Sequence, residues 1–513
     1  MQEKSLSFGL FDPGMTGMHR VGLAGLYMTL KNLNPDRYSD LGRWELSPKR
    51  VTVCWRKKPA DLFKALINDA FGIDSHGCIR FCAHRGHPMG DIEIVHLDRV
   101  VRETFLQHGQ MRKEAKENRV LQFDFQEQTV SETIKPIIEY RNQGAAELFL
   151  SKNGDKLVES VELAGWSYPG GAVRHNKYSA HTHLSIPPAL FVPLIFTPIA
   201  SLFFKISHRD KEGKLDARRR AAVVLPHIED LEGYCKCYSR YLASPLRRLY
   251  ADGLGDAGLM ALILLHLQGG MLEDLSISSC TVVTFGSVPW NKRQKTRTGL
   301  RAVIKISSAH MNFFASALDS LDNRTLFRKD GGYWVETSRV RGLIAENIAA
   351  GMDWFRDFHQ LMMSQKLAQL IRWERKGLSR MVAQMEWNHE ADRLLVEAVH
   401  QALRNRYGAM AARAKERGDA PQFSREFERI RTSLMRAKNA QTMRAELADL
   451  FARGGLNKTL QMRWPELLPL FSGDDWQRAR DLALLGLASY AGQGAEALDE
   501  AADMNFNQEE EDE

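Results

Sequence analysis

The residues best suited to contact a polyanion lie between positions 286 and 301, where the chain reads GSVPWNKRQKTRTGLR. Lysine and arginine neutralise phosphates, while asparagine, glutamine and arginine can pair with base edges. This stretch has five basic residues and no acid. The candidate nucleic-acid contacts are Trp290, Asn291, Lys292, Arg293, Gln294, Lys295, Arg297 and Arg301. A solvated basic loop without a ligand is the alternative interpretation.

The sequence on either side of this loop predicts the elements that hold it. Residues 278–285 and 300–306 are apolar and read as two strands. A loop between two strands can enter a groove of duplex DNA while the strands stay anchored in a sheet. Two weaker basic clusters, RHNKYSAHTH (174–183) and HRDKEGKLDARRR (208–220), add candidate contacts. These are Arg174, Lys177, Arg218 and Arg219.

A cluster of histidines and cysteines at 76–87, HGCIRFCAHRGH, offers five zinc ligands in twelve residues. Its spacing matches no zinc finger or ribbon, and residues 79–83 also read as a strand. A metal-dependent nucleic-acid enzyme built on this cluster is the alternative function. The sequence contains no Walker A, HExxH or GxSxG motif and no evident nucleophile with its base. We therefore predict no catalytic residues, no metal and no cofactor.

The stretch LFDPGMTGMHRVGLAGL (10–26) combines a turn signal with a glycine-rich helix. Asp-Pro-Gly predicts a turn, and Thr16 can cap a helix that runs to about residue 33. Glycines inside a helix cost about 1 kcal/mol each, so a close backbone approach should compensate. We predict a packing element. The alternative places an RNA or DNA backbone at the helix N-terminus, beside His19 and Arg20.

Composition indicates a protein that works in the cytoplasm. The chain has 513 residues, 44% of them hydrophobic, and a net charge of +7. Six cysteines in so long a chain do not predict a disulfide framework. The start, MQEKSLSF, lacks the apolar core of a signal peptide. Residues 184–204 carry no charge, but their four prolines predict a buried irregular segment and no membrane span.

Periodicity and charge divide the chain into three parts. Residues 1–370 mix strand and helix patterns, whereas residues 371–495 read as helices throughout. Residues 481–513 contain ten acids and no lysine or arginine. We predict an α+β N-terminal domain (1–370), an all-α helical bundle (371–495) and an acidic disordered tail (496–513). A basic body with an acidic tail suggests a polyanionic partner.

Three segments resemble one protein family. FDPGMTGMHRVGLAGL (11–26) resembles the N-terminal signature of the large subunit of type I CRISPR Cascade effector complexes, of the MYXAN type and similar to type I-B. VVTFGSVPWNKRQKTR (282–297) and AAVVLPHIEDLEGY (221–234) resemble two further segments of that family. Related large subunits also occur in CRISPR-associated transposon systems.

The resemblance implies a non-enzymatic role in a ribonucleoprotein. A large subunit of this type sits beside the subunit that holds the crRNA handle, recognises the protospacer-adjacent motif in duplex DNA and helps to unwind it. Its helical bundle, which resembles a small subunit, contacts the displaced strand and stabilises the R-loop. The implied partners are crRNA, target DNA, the other Cascade subunits, and a recruited helicase-nuclease or transposition adaptor, with no membrane.

Arginines and lysines on the predicted bundle suit contact with a single-strand backbone. We expect them on helix surfaces that face solvent. The candidate residues are Arg372, Arg375, Lys376, Arg380, Arg429 and Arg436.

Overall fold

The computed structural model describes most of the chain. The described residues are 4–87, 89–164, 166–168, 184–207, 220–268, 271–272, 277–286, 297–303, 305–455, 458–471 and 475–495. Both weaker basic clusters, the centre of the 286–301 loop and the acidic tail lie outside these ranges, apart from the backbone of Arg220.

The described residues form two units. The first lies within Met1–Ser207, Ala217–Met311 and Asn323–Glu336, and the second lies within Asn312–Asp322 and Thr337–Glu513. The described strands all belong to the first unit, whereas the second is built from helices. The predicted fold class, an α+β region followed by a helical region, is confirmed. The boundary near residue 370 stays a prediction.

The helices are α1 (Gly17–Asn32), α2 (Pro59–Ala70), α3 (Asp91–Glu103), α4 (Ala146–Phe149), α5 (Pro188–Ile195), α6 (Thr197–Ala200), α7 (Leu231–Leu242), α8 (Leu254–His266), α9 (Ser308–Ser320), α10 (Arg339–Ala349), α11 (Gln365–Leu370), α12 (Arg375–Gln384), α13 (Glu390–Arg417), α14 (Phe423–Arg436), α15 (Ala440–Gly454), α16 (Lys458–Leu467) and α17 (Trp476–Ser489).

The strands are β1 (Lys4–Gly9), β2 (Gly42–Ser47), β3 (Arg50–Trp55), β4 (Phe71–Ile73), β5 (Ile79–Phe81), β6 (Arg112–Glu114), β7 (Arg119–Phe125), β8 (Gln128–Ile134), β9 (Ile137–Tyr140), β10 (Val161–Glu162), β11 (Ser185–Ile186), β12 (Leu202–Ile206), β13 (Arg220–Pro226), β14 (Tyr250–Ala251), β15 (Leu267–Gln268), β16 (Met271–Leu272), β17 (Cys280–Gly286), β18 (Arg297–Val303), β19 (Arg324–Phe327) and β20 (Tyr333–Glu336).

A five-stranded sheet, in the order β14-β12-β13-β17-β18, carries the predicted hairpin. β12 and β14 are parallel, and the other neighbours are antiparallel. The apolar runs of β13 and β17 pair through Val223 and Val283, which places the most buried strands at the centre. α8 packs on this sheet, where a Cβ on Gly258 would lie 2.7 Å from Val303 Cγ2. A smaller antiparallel sheet, β1-β3-β2, precedes it in the chain.

α1 packs tightly against a second helical segment. Thr16 is its N-cap, as the sequence predicts, and the helix ends at Asn32. A Cβ on Gly22 would lie 2.0 Å from the Pro193 carbonyl oxygen, and one on Gly25 would lie 2.2 Å from the Phe196 oxygen. The predicted close backbone approach is therefore confirmed at both glycines.

The apolar segment 184–204 supplies the partners of α1. It folds into β11, α5, α6 and β12, and its residues from 191 to 204 are buried. The prolines shorten the helices without abolishing them, and Pro193 lies inside α5. Within the described ranges, no helix has the length and apolar character that crossing a membrane requires.

α13 and α17 form the centre of the second unit. Residues 481–490 of α17 and its C-terminal end are buried, and a Cβ on Gly486 would lie 3.0 Å from Val399 of α13. Gly377 lies inside α12, where a Cβ would meet the Ser320 carbonyl oxygen at 1.9 Å. This glycine therefore permits a close backbone contact.

Candidate nucleic-acid interface

The hairpin framework of the strongest predicted site is present. β17 and β18 pair in antiparallel register from Cys280–Val303 to Gly286–Arg297. Trp290, Asn291, Lys292, Arg293, Gln294 and Lys295 lie outside the described residues, and only the backbone of Arg297 is described. Arg301 lies on β18 opposite Val282, with a partly buried side chain. The predicted contacts of the loop stay predictions, as do Arg174, Lys177, Arg218 and Arg219.

His19 is part of the cap of α1. The backbone N–H of Thr16 donates to His19 Nδ1 at 3.3 Å, and Thr16 Oγ1 lies 2.8 Å from the same nitrogen. The side chain is 4% exposed, and burial lowers its pKa to about 4. A phosphate contact needs an accessible and preferably charged imidazole. The buried ring is neutral at pH 7, so the prediction that His19 contacts nucleic acid gains no support from this geometry.

Arg20, the next residue, is half-buried and stacks on an exposed ring. Its guanidinium carbon lies 5.0 Å from the centre of the Phe11 ring, and the ring is 53% exposed. Arg20 Nη1 donates to His227 Nε2 at 2.7 Å. Because an arginine only donates, His227 Nε2 is the acceptor of this bond, and His227 Nδ1 lies 3.8 Å from Glu229. A guanidinium stacked on an accessible ring suits a nucleobase or a phosphate.

Sequence reasoning missed Phe11 and His227. Each lies inside a segment that carries the family resemblance, Phe11 in 11–26 and His227 in 221–234. The Arg20–His227 hydrogen bond joins these two segments across 207 positions. The proximity of Phe11 and His227 to Arg20 follows only from the fold. Their presence in two segments that resemble the family was a signal in the sequence that could have identified them as candidates.

Two of the predicted bundle arginines are core residues. Arg372 is 4% exposed and Arg375 is 2% exposed. Their guanidinium carbons lie 5.3 Å and 5.7 Å from the centre of the Phe427 ring. The prediction that these two side chains lie on a helix surface is wrong. The aliphatic stems and guanidinium planes pack against an aromatic ring instead.

The other four bundle residues are accessible to different degrees. Arg429 is half-buried and occupied, since it donates to Glu426 at 2.8 Å and lies 3.5 Å from Asp449. Lys376 and Arg380 are exposed one turn apart on α12, and Arg436 is exposed at the end of α14. The latter three side chains form no ion pair with any residue that the structure describes. These three side chains are free to meet a phosphate.

The histidine and cysteine cluster at 76–87 is built as a structural segment. Burial raises the pKa of Cys78 to about 12 and that of Cys82 to about 11, so both are thiols at pH 7. His84 is half-buried, desolvation lowers its pKa to about 4, and its Nε2 donates to the Ile199 carbonyl at 2.8 Å. The zinc-site alternative therefore gains no support. All six cysteines of the chain are free.

Among the described residues, one group brings three ligand atoms within 4.8 Å of one another: Asp357, His359 and Asp481. The Asp481 carboxylate accepts the backbone N–H of Asp357 at 2.8 Å and lies 2.9 Å from His359 Nδ1. Arg480 Nη2 lies 2.8 Å from the same nitrogen. These contacts attach the turn at Asp357 and His359 to α17. The positive charge of the Arg480 guanidinium disfavours the binding of a metal cation at this group.

Comparison with known proteins identifies the family. Residues 7–195 match the DevT N-terminal domain, and residues 383–513 match the DevT C-terminal domain. The chain is 29% identical over 536 aligned positions to the CRISPR-associated protein Cas8a1/Csx13 of Myxococcus xanthus (strain DK1622), covering 96% of this chain and 90% of that protein. The chain belongs to the CRISPR large-subunit family. The resemblance seen in the sequence is confirmed.

The matched regions contain part of this large subunit's described site. The N-terminal match contains Phe11 and Arg20, and the C-terminal match contains Arg436. Lys376 and Arg380 lie between the two matches. Family membership supports a role in a CRISPR effector complex with crRNA and further subunits.

Proposed function

We propose that this chain is the non-catalytic large subunit of a CRISPR RNA-guided surveillance complex. In that complex it recognises the protospacer-adjacent motif in duplex DNA, helps to unwind the target and stabilises the R-loop. The alignment with Cas8a1/Csx13 over 96% of the chain carries the proposal. Its partners are crRNA, the target DNA, the other Cascade subunits, and a recruited helicase-nuclease or transposition adaptor.

The paired strands β17 and β18 support the assignment of motif reading to the loop between them. Guide pairing supplies most of the sequence specificity of such a complex, so the protein needs to read only a short duplex motif. The pairing of β17 with β18 extends to Gly286 and Arg297, so both ends of the loop are attached to the sheet. Arginine can pair with guanine, asparagine or glutamine can pair with adenine, and Trp290 can wedge against a base step.

Exposed cations elsewhere suit contact with single strands. Lys376, Arg380 and Arg436 offer unpaired charges on the helices of the second unit, which fits a role in holding the displaced strand. The Arg20–Phe11 stack offers a guanidinium and an aromatic ring together, which fits the crRNA or a neighbouring subunit.

Alanine scanning of 290–297 in the assembled complex tests the motif-reading assignment. Each variant is assayed for binding to a library of targets that differ in the flanking motif, at several salt concentrations. Loss of a base-reading side chain should cost about 1–3 kcal/mol and relax preference at one position. Loss of a phosphate contact should weaken all targets alike and reduce the salt dependence.

Lys236→Ala is the matched control, because this exposed lysine is already paired with Glu232 at 3.1 Å. It should leave affinity and motif preference unchanged. If every loop variant also behaves like the wild type, the loop is solvated surface and the assignment of motif reading to it is wrong.

A further inference from the structure

Two stretches of the first unit, 56–58 and 151–156, meet at the start of α2. Arg56, Lys57 and Lys58 link β3 to α2. The turn at 151–156 lies against them, and the Gly154 carbonyl accepts the Ala60 N–H at 3.3 Å. Gly154 has a φ of +67°, and a Cβ there would lie 2.5 Å from Ala60 Cβ. Only glycine allows the turn to approach the helix this closely.

The meeting of these stretches concentrates positive charge on one surface. We define the α2 basic surface as Arg56, Lys57, Lys58, Lys152 and Lys156, all of which are exposed. None of these five side chains forms an ion pair within the described part of the chain. Two acids are close in sequence to these residues, Asp61 in the first turn of α2 and Asp155 in the turn at 151–156. The surface therefore carries a net charge of +3.

The charges of the two stretches act on one another. Asp155 accepts a hydrogen bond from Ser151 Oγ at 2.6 Å, which lowers the pKa of its carboxyl group, and the charges of Lys156 and Lys58 lower it further. Lys58 belongs to one stretch and Lys156 to the other, so both lysines lie near the same carboxylate. The surface is thus continuous across the junction.

Four of the five side chains of this surface are lysines, which fit phosphates better than base edges. Lysine ammonium groups act as point charges on phosphate, whereas single-strand binding also needs rings on which bases stack. The large apolar side chains that the described part of the first unit exposes are Phe11, Val120, Ile138, Leu184 and Leu300, and none belongs to these stretches. A paired duplex hides its base faces and offers phosphates along its backbone.

We propose that the α2 basic surface binds the phosphate backbone of double-stranded DNA without reading its sequence. The proposal rests on the proposed function, in which a duplex flank adjoins the guide-paired region. It assigns this contact to residues outside the motif-reading loop. The surface contributes affinity and salt dependence, and the loop contributes sequence preference.

The test compares two complexes of equal net charge. The surface variant carries K57Q, K58Q, K152Q and K156Q. The matched control carries glutamine at four exposed lysines elsewhere in the first unit: Lys31, Lys49, Lys113 and Lys116. Both variant chains and the wild type are assembled with guide RNA. Binding is measured from 50 to 200 mM salt on targets with a long or a truncated duplex flank.

We expect the surface variant to bind the long-flank target more weakly, with a salt slope smaller by up to about 3.6 if all four lysines contact phosphates. Its loss of affinity between 50 and 200 mM salt would then be about 100-fold smaller than that of the wild type. The control should match the wild type, and the truncated flank should abolish the difference.

Three results would overturn the proposal. Equal salt slopes for variant and wild type on the long flank would show that the lysines contact no phosphate. A surface variant that loses guide RNA on purification would assign the surface to RNA instead. If the wild-type complex itself shows no guide-dependent DNA binding, the proposed function fails and the surface proposal falls with it, whereas the first two results leave the proposed function intact.

Discussion

Replacing Gly22 with alanine tests the packing of α1 against the segment that contains α5. The added Cβ would lie 2.0 Å from the Pro193 carbonyl oxygen and 2.6 Å from its carbon. An ordinary contact needs at least about 3.4 Å, so one backbone must move by more than 1 Å. The Pro193 carbonyl also accepts the Phe196 N–H at 3.0 Å, which holds it in place.

The magnitude follows from two opposing effects. Overpacking with side chains costs about 1–3 kcal/mol, and a backbone obstacle should place this clash at the upper end, about 2–4 kcal/mol. Alanine gains about 1 kcal/mol in helix propensity over glycine. The free energy of unfolding should therefore fall by about 1–3 kcal/mol, and faster amide exchange should appear in α1 and α5 first.

Urea unfolding of the full chain, with hydrogen exchange resolved along it, measures both effects. Gly17→Ala is the matched control in the same helix, because a Cβ there meets no atom within 4 Å. It should leave stability unchanged or raise it by up to about 1 kcal/mol. If Gly22→Ala unfolds at the same urea concentration as Gly17→Ala, the close-approach argument is refuted.

Three further predictions concern the core and the bundle. Arg375→Ala should lower the free energy of unfolding by about 2–3 kcal/mol, because it removes a buried guanidinium from an aromatic ring. Lys376→Ala should change the free energy of unfolding by less than about 0.5 kcal/mol and should weaken DNA binding. Thermal unfolding and DNA-binding assays of both variants distinguish these two effects. Burial, with Lys205 and Arg99 nearby, lowers the pKa of His96 to about 3. The neutral imidazole therefore contributes stability that is complete above about pH 6.5 and is lost as the pH falls, by about 2 kcal/mol from pH 7 to pH 5. In urea titrations, His96→Gln should remove that part of the pH dependence. A fragment that begins at Thr337 should be more stable by circular dichroism than one that begins at residue 371. The shorter fragment lacks Val340 and Asp357, whose backbone N–H groups donate to the buried carboxylates of Glu374 and Asp481, and equal stability would support the boundary near 370.

Local sequence signals predicted the elements around α1 and the central sheet. Asp-Pro-Gly and Thr16 mark the start of α1 by turn and capping chemistry, which depends only on neighbouring residues. The apolar runs of β17 and β18 predicted strands for the same reason. The roles of Gly22 and Gly25 could be predicted as close approaches, but not their partners, which lie about 170 positions away.

Features that depend on partners far away in the sequence could not be predicted from local patterns. Arginine is rarely buried, so the pattern placed Arg372 on a surface, whereas the Phe427 ring covers it. Gly377 reads as a helix stop unless the Ser320 carbonyl beside it is known.

Some residues of the candidate site could be predicted from the sequence, and others could not. Arg20 was predicted from its position at a helix N-terminus, but its partners Phe11 and His227 follow from tertiary structure. His19, its neighbour in sequence, turned out to be buried, because consecutive positions of a helix face different directions.

The most direct test of the central claim omits this chain from the assembly. The guide-binding subunits and guide RNA are purified with and without it, and each preparation is assayed on matched targets that carry or lack a permissive flanking motif. We predict that the complete complex binds in a motif-dependent way, and that the complex without this chain keeps its guide RNA but loses motif-dependent binding to duplex DNA. Unchanged motif preference in the absence of the chain would contradict its assignment as the motif-recognising large subunit.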